Sequence, residues 1–421
     1  MRRLLKTVVF LGALATAGVL AAARLLSPRR ALAAAPVTAE PGVQAVRAGT
    51  ERRWVKIAAF LAAGVAGGFL VVVSGLVPIK ASAGHWPITA WFLHFAMRRS
   101  IDTHTLGLKT PPLDDPSLVL QGAGHYESGC RPCHGSPGLP PPRIPQQMTP
   151  HPPVLPPVIS KWEPRELFYI VKHGVKFTGM PAWPARQRDD EVWAMVAFLL
   201  TLPELDAAAY QRLVHGEHAT TDAPGRDMSA PAQVPQAVTQ SCGRCHGVDG
   251  RSRGTDAFPR LAGQRPTYLY AALQAFARGE RHSGMMEPIA AALSPIAMRD
   301  IARYYSSLEN PSPSSPQPQT TLAIERGKAI ASRGIPSQRV PSCEDCHGPG
   351  RTRRHPIYPN LAGQYADYLV LQLELFTKGH RGGSAYAHLM HPIAARLNAA
   401  QQRDVALYYE SLTAAPDGPK R

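Results

Sequence analysis

Every cysteine of this 421-residue chain lies in one of three copies of a five-residue pattern, Cys-x-x-Cys-His. Such a pattern is what covalent attachment of a c-type haem requires, because the two sulfurs bond the vinyl groups and the histidine binds the iron. The two cysteines are separated by roughly one helical turn, which places both thiols and the imidazole near one face. The thiols are Cys130, Cys133, Cys242, Cys245, Cys343 and Cys346, and the histidines are His134, His246 and His347. The sequence therefore predicts three haem c groups.

Two other sites use closely spaced cysteines. A thioredoxin-like redox pair would occur once, within a βαβ pattern, and a zinc site would pair two C-x-x-C knuckles without a histidine fixed at the fifth position. All six cysteines are used by the three copies, so none is left for a separate knuckle or a disulfide.

The formal net charge of +16 at pH 7 raises the question of nucleic-acid binding. Residues 1–100 carry +11 of this excess, and the haem-bearing remainder carries only +5. A basic excess that flanks an apolar segment is typical of a membrane protein. We therefore expect no nucleic-acid partner.

Residues 57–79 form a run of 23 residues without a charged side chain. As a helix the run would be about 35 Å long, enough to cross a hydrocarbon core of about 30 Å. It is apolar on all sides, whereas a buried soluble helix would show one apolar stripe. The sequence therefore predicts a transmembrane anchor and membrane lipid as a partner.

A second apolar stretch, residues 7–23, precedes the small-residue run 31–35 and resembles a signal peptide. Cleavage there would leave the span 57–79 to return the chain to the cytoplasm, on the wrong side for haem attachment. The loop between the two stretches carries seven positive charges and is typical of the cytoplasmic side. We expect 57–79 to run from inside to outside, with the first stretch either a helix that starts outside or an extension from an upstream start codon.

The predicted organisation has eight segments, of which three carry haem. They are an apolar segment and basic cytoplasmic loop (1–56), the anchor (57–79), an aromatic juxtamembrane segment (80–112), a first domain (113–205), a linker (206–229), a second domain (230–310), a Pro-rich connector (311–318) and a third domain (319–414). The aromatic segment suits either the membrane interface or packing beneath the first domain.

In the first domain we expect a helix over residues 116–128 and a last helix that begins near Asp189. Ten prolines between residues 137 and 157 predict an extended, helix-free wall beside the haem. Met180 lies in a Gly- and Pro-rich loop before the last helix and is the expected sixth iron ligand. The alternatives are Met148, Met195, which has the spacing of a core residue, and His173.

The second and third domains are an internal repeat. Residues 258–264 (FPRLAGQ) match 358–364 (YPNLAGQ), and residues 286–291 (MEPIAA) match 390–395 (MHPIAA). This alignment pairs Met286 with Met390, and it pairs the neighbouring Met285 with a leucine. Met286 and Met390 are the expected ligands. Histidine alternatives remain: His282, His380, His388 and His391.

Each domain resembles a class I cytochrome c, with a first helix, C-x-x-C-H, a methionine loop and a last helix. The second and third domains resemble fused dihaem cytochromes of bacterial respiratory chains through the L-A-G-Q and M-x-P-I-A runs. The first domain, with residues 178–183 (TGMPAW), is similar to single-haem domains that accompany haem–copper oxidases and periplasmic dehydrogenases. The resemblance implies an all-α fold of three cytochrome c domains in tandem behind an N-terminal transmembrane helix.

Histidine and methionine together leave no open position on the iron, which favours electron transfer over catalysis. Haem of this type is attached outside the cytoplasm, so we expect the haem domains in a bacterial periplasm and the anchor in the inner membrane. The expected function is a single-electron relay from a quinol-oxidising complex or dehydrogenase to a terminal oxidase or soluble cytochrome. Two alternatives are the electron-accepting subunit of a periplasmic dehydrogenase and an enzyme with one open haem, such as a peroxidase or a sulfur-compound oxidase.

Overall fold

The fold is given by a computed structural model that describes residues 41–216, 234–309, 320–348 and 354–412. Over these residues the chain is helical and contains no β-strand, which confirms the all-α prediction. The chain divides into two units, Met1–Ala83 and Gly84–Arg421.

The first unit contains one long helix, α1, Pro41–Val73. Its segment Arg53–Val73 has a mean hydropathy of 2.1 and is long and apolar enough to cross a membrane. The limits of the helix differ from the limits of the predicted segments, which remain predictions. The basic loop is helical from Pro41 onward, and the helix ends six residues before Ile79. Gly75 follows with a φ of 75°, a conformation that stops a helix and suits glycine. The stretch 7–23 lies outside the described residues.

The second unit begins with the juxtamembrane segment and the first domain. Its helices are α2 (Pro87–His104), α3 (Pro116–His125), α4 (Arg131–His134), α5 (Pro156–Ile159), α6 (Pro164–His173), α7 (Asp189–Thr201) and α8 (Ala207–His215). Proline opens four of these helices, where its missing N–H costs nothing. Asp115 caps α3 by accepting a hydrogen bond from the N–H of Ser117 at 2.8 Å. The helices expected at 116–128 and near 189 are present.

The proline-rich tract is less uniform than the sequence predicts. It contains a 3₁₀ turn at Pro145–Gln147 and the single turn α5, although helix was excluded there. Both turns have proline in their first positions, where the backbone N–H that proline lacks would have no partner in the turn. The remainder of the tract is irregular, as expected.

Residues 206–229 were predicted as a linker, yet their first part is helix α8. Asp206 caps it by accepting from the N–H of Ala209 at 2.6 Å, and Gly216 ends it. Tyr210 and Val214, one turn apart, are fully buried in the core of the first domain. This segment therefore belongs to the first domain, and residues 217–229 lie outside the described part.

The second and third domains repeat one helical plan. Their helices are α9 (Gly243–His246), α10 (Pro266–Ala277), α11 (Met286–Ala291), α12 (Pro295–Ser307), α13 (Thr321–Arg333), α14 (Glu344–His347), α15 (Ala366–Thr377), α16 (Ala387–Arg396) and α17 (Ala399–Glu410). In the second domain α10 packs on α11 and α12, and in the third α15 packs on α16 and α17. The shared packing follows the sequence repeat.

Three core clusters lie along the second unit, around Phe198, Tyr305 and Tyr409. The clusters around Tyr305 and Tyr409 fall within the predicted second and third domains, and the cluster around Phe198 extends beyond the predicted first domain to Val214. The domain boundaries remain predictions, and the connector 311–318 lies outside the described residues.

Glycine allows two helices to pack closely in the first domain (α3 and α7) and in the third (α13 and α17). A methyl group placed on Gly122 of α3 would lie 2.1 Å from the carbonyl oxygen of Ala194 in α7. A methyl group on Gly327 of α13 would lie 2.0 Å from the carbonyl oxygen of Asp404 in α17. Backbone at this distance cannot accommodate a side chain, so glycine sets the helix separation.

Replacing Gly122 with alanine should force α3 and α7 apart and lower the free energy of unfolding of the first domain by about 1–3 kcal/mol. The matched control is Gly129→Ala, in the helical turn that follows α3, where an added methyl group meets no atom within 4 Å. Thermal unfolding followed by far-ultraviolet circular dichroism would compare the two. Equal melting temperatures would contradict the proposed contact.

Candidate functional site

Each histidine of the three patterns is held by a proline carbonyl group. The Nδ1 atoms of His134, His246 and His347 lie 2.9, 3.0 and 3.0 Å from carbonyl oxygens. The acceptors are Pro153, Pro259 and Pro359. Because a carbonyl group only accepts, each Nδ1 must carry the proton and each Nε2 keeps a free lone pair. A metal-binding imidazole needs this tautomer.

Local structure explains how the thiols and imidazole come together. Each Cys-x-x-Cys-His ends in one short helical turn (α4, α9 or α14). A π-helical turn leads into the first two, Tyr126–Cys130 and Val238–Cys242. In each pattern the short helix brings the second cysteine and the histidine to the same side of the chain as the first cysteine.

The first thiol of each pattern lacks the lowered pKa of a redox or zinc cysteine. Burial raises the pKa of Cys130 to about 12 and the pKa of Cys242 and of Cys343 to about 11. Reactive or metal-binding thiols have a lowered pKa in an electropositive setting. Among the described residues, moreover, no group of three or more His, Cys, Asp or Glu side chains is placed to hold a metal ion. Covalent capture of a vinyl group fits these buried thiols better.

Burial also acts on the imidazoles. It lowers the pKa of His134 and His246, and it lowers the pKa of His347 to about 4. All three rings are therefore neutral at neutral pH, the state in which imidazole binds a metal.

A cavity of about 700 Å³ joins the predicted haem sites of the second and third domains. Its wall includes the four thiols and the two histidines of their patterns, together with Met286 and Met390. Met285 and Leu389 line the cavity as well, so its lining does not distinguish Met286 from Met285 as the iron ligand. Of the histidine alternatives, His282 reaches the wall, and His380, His388 and His391 do not.

The first site is arranged differently. Met180 lies on the loop before α7, where its N–H donates to Oγ1 of Thr178 at 3.1 Å. Its rival Met148 is close by, because a methyl group on Gly179 would lie 2.7 Å from the Met148 sulfur. The structure therefore brings both candidate methionines to one place. Met195 is fully buried in the core of the first domain, and His173 is exposed.

The second and third domains meet through reciprocal hydrogen bonds. The side-chain amide of Gln264 donates to the carbonyl of Asn360 at 2.8 Å and accepts from the Asn360 N–H at 2.8 Å. The amide of Gln364 donates to the carbonyl of Arg260 at 3.0 Å and accepts from the Arg260 N–H at 3.1 Å. Equivalent residues thus exchange equivalent bonds, which gives the interface approximate two-fold symmetry.

Two buried guanidinium groups lie at the same interface. Arg281 and Arg381 are each 8% exposed and stack over Phe276 and Phe376 at 4.6 and 4.5 Å. Arg281 donates to the hydroxyl of Tyr368 at 2.8 Å, and Arg381 to that of Tyr268 at 2.9 Å.

Within the described part of the chain, neither guanidinium forms a salt bridge with a carboxylate. Burial, and next the neighbouring Arg281, lower the pKa of Arg381. Both groups face the cavity. Buried cations without a counter-ion favour an anionic ligand, and a haem carries carboxylates.

The residues therefore fit haem c on three grounds: neutral imidazoles with a free Nε2, buried thiols at the correct spacing, and a large apolar cavity edged by cations. Sequence reasoning found the thiols and imidazoles. It missed the proline carbonyls and the Arg–Tyr pairs, although both recur at equivalent positions of the repeat. It also missed Glu191 of the first domain, which lies against the second.

Parts of the chain are similar to known proteins. Residues 117–199 match the family described as "Cytochrome C oxidase, cbb3-type, subunit III". The chain is 36% identical over 190 residues to the thiosulfate dehydrogenase electron acceptor of Thiomonas intermedia, covering 45% of this chain and 84% of that protein. It is 32% identical over 182 residues to cytochrome c4 of Pseudomonas aeruginosa, covering 43% and 88%.

Among solved structures, reduced cytochrome c4 from Pseudomonas stutzeri aligns with a TM-score of 0.39 and 30% identity, over 43% of this chain and 98% of that one. The sequence relatives are matched along most of their own length at more than 30% identity. On that similarity, and with three haem-attachment patterns in its sequence, the chain belongs to the cytochrome c family.

Proposed function

We propose that this protein is a membrane-anchored electron carrier that binds three haem c groups with histidine and methionine as axial ligands. The observation that supports this best is the shared hydrogen bond from each histidine Nδ1 to a proline carbonyl, which leaves three equivalent Nε2 atoms for iron. The thiols of Cys130, Cys133, Cys242, Cys245, Cys343 and Cys346 hold the three groups. The axial pairs are His134 with Met180, His246 with Met286, and His347 with Met390.

A bound haem supplies a one-electron Fe(III)/Fe(II) couple. The protein's own residues hold the imidazole tautomer, offer a soft thioether and enclose the site in apolar side chains. Six occupied axial positions leave no place for an exogenous substrate, so an open-haem enzyme is disfavoured. The thioether favours Fe(II) and raises the reduction potential.

The juxtamembrane helix α2 supports attachment to a bilayer beyond the anchor. Ile88, Trp91, Phe92 and Phe95 are spaced i, i+3, i+4 and i+7 and form one stripe, with 52–67% of each residue exposed. The opposite face packs inward through Ile101, and Arg98 lies 4.5 Å from the ring of Trp162. An aromatic stripe beside arginines suits the membrane interface. The haem domains would then lie on the periplasmic side of a bacterial inner membrane.

The partners are proposed from chemistry and similarity. As a relay, the protein would take electrons from a quinol-oxidising complex and pass them to a terminal oxidase or a soluble cytochrome. The name of the Thiomonas relative, thiosulfate dehydrogenase electron acceptor, favours a second candidate in which a periplasmic dehydrogenase is the donor. Both candidates require the same three sites.

Replacing Met286 with alanine should remove about one third of the methionine–iron charge-transfer absorption in the near infrared, since one of three thioethers is lost. The matched control is Met285→Ala, which should leave that absorption intact. Haem content by pyridine haemochromogen assay should remain three per chain in both variants. The reverse pattern would show that Met285 is the ligand and that the repeat alignment is misleading.

An apolar photolabel dissolved in liposomes that carry the full-length protein should modify the peptide with Trp91 and Phe92, because these side chains would contact lipid. Phe177 provides an exposure-matched control on the first domain, since it is 74% exposed and lies outside α2. Peptide mapping by mass spectrometry would compare the two. Labelling confined to Arg53–Val73, or equal labelling of Phe177, would contradict an interfacial helix.

The two donor classes can be separated by reduction kinetics. Ferric protein in liposomes should be reduced by a quinol-oxidising complex with quinol if the relay is correct, and by a thiosulfate dehydrogenase with thiosulfate if the second candidate is correct. Stopped-flow absorbance of the haem α-band measures both. Each donor without its substrate is the control, and no reduction by either would contradict both assignments.

A further inference from the structure

The first and second domains meet around one buried carboxylate, Glu191 at the start of α7. The residue is 3% exposed, accepts three hydrogen bonds and forms one salt bridge, so that each domain supplies two of its partners. Within the first domain, Trp183 Nε1 and Arg188 Nη1 lie at 3.1 and 3.0 Å. From the second domain, the hydroxyl of Ser283 donates at 2.6 Å and the N–H of Gly284 at 2.7 Å. A carboxylate with this many partners is held in one position.

The loop that Glu191 holds leads directly into the methionine of the second domain. The Ser283 hydroxyl donates to Glu191 and accepts from the N–H of Met286 at 3.2 Å. One side chain therefore connects the carboxylate of the first domain to the backbone of Met286.

Packing at the junction leaves the loop no room to shift. A methyl group on Gly284 would lie 2.2 Å from Nε1 of Trp183, so only glycine fits against the indole. Arg188 also donates to the carbonyl of His282 at 2.7 Å, which fixes the preceding residue. The loop is thus held by charge-assisted bonds at His282, Ser283 and Gly284.

The charges at the junction are few. His125 is buried with its ring 5.6 Å from Trp183, and burial followed by Arg188 lowers its pKa to about 3, so it is neutral. Arg188 pairs with both Glu191 and Asp190. Burial raises the pKa of Glu191, although the charge of Arg188 acts in the opposite direction. The four partners of Glu191 therefore replace much of the solvation that the carboxylate loses on burial.

The third domain lacks this device. In register with Met390 the position of Ser283 is taken by Ala387, and in register with Arg381 it is taken by Gly383; neither residue has a hydroxyl group. The contact is therefore specific to the second domain and is not a general part of the cytochrome fold.

We propose that Glu191 of the first domain is a positioning residue for the Met286 loop, through which the first domain controls the axial ligation, and hence the reduction potential, of the second haem. This inference rests on the proposed function, because it requires Met286 to bind iron. The third domain also contacts this loop, where the carbonyl of His380 accepts a hydrogen bond from the N–H of His282 at 3.3 Å.

The test uses the full-length, haem-loaded protein with Glu191→Gln. The amide offers one acceptor oxygen in place of two and loses the charge, which should shift the equilibrium of the Met286 loop by about tenfold or more. We expect the methionine–iron absorption to fall by up to one third and one of the three midpoint potentials to shift in a spectroelectrochemical titration. The other two potentials should stay unchanged.

The matched control is Asp404→Asn, another buried carboxylate with a guanidinium partner, Arg326 at 2.6 Å, but inside the third domain. It should lower thermal stability without changing the signals of the second haem. Ser283→Ala removes only the hydroxyl that connects Glu191 to the N–H of Met286, and it should reproduce the spectral and potential changes of Glu191→Gln. If Glu191→Gln fails to retain haem, Ser283→Ala provides the test.

A lower melting temperature with all three potentials and the full methionine–iron absorption retained, in Glu191→Gln or in Ser283→Ala, would overturn the inference and leave Glu191 as a structural joint. Failure of the proposed function looks different. In that case the unaltered protein itself would bind fewer than three haems or lack the absorption of three methionine ligands.

Discussion

The hydrogen bond from each pattern histidine to a proline carbonyl is the contact on which the rest of the structure depends. It joins residues that are 19, 13 and 12 positions apart, so the chain must turn back beneath each imidazole. Proline has no N–H group, and its fixed φ restricts the backbone that carries the carbonyl group. The proline-rich tract of the first domain and the Pro259 and Pro359 loops of the repeat can be understood as three solutions to this one constraint. The number of residues between the histidine and the proline differs among the three sites, but the distance from Nδ1 to the carbonyl oxygen is 2.9, 3.0 and 3.0 Å.

Local patterns were enough to predict what lies close together in sequence. The three Cys-x-x-Cys-His copies, the helix starts at Pro116 and Asp189, and the repeat of the second and third domains all appear in the structure. Helix α8 was missed because a polar composition was taken for a linker. Its signals were present, since Asp206 is a good cap and Tyr210 and Val214 are spaced for one buried face. Composition over a long window obscured a nine-residue helix.

Contacts between domains could not be predicted in the same way. Glu191 and Ser283 are 92 positions apart, and Arg281 and Tyr368 are 87 apart. The acidic run at 189–191 was assigned correctly to a helix start, yet a carboxylate that favours a helix N-terminus also suits a buried joint, and sequence does not separate these roles. The arginines recur at matching positions of the repeat, but only the two-fold arrangement explains why each contacts the tyrosine of the other domain.

The second domain occupies the central place among the described contacts. Its Gln264 and Arg281 bond the third domain, while its Ser283 and Gly284 bond the first. Arg281 and Ser283 are two residues apart, so one short loop before Met286 touches both neighbours. On one side the loop meets a buried anion, and on the other it contributes a buried cation. In a low dielectric, charges so close to a redox centre influence its potential more than exposed charges do. The environment of the second site is therefore set largely by the domains on either side of it, and the third site shares one cavity with the second.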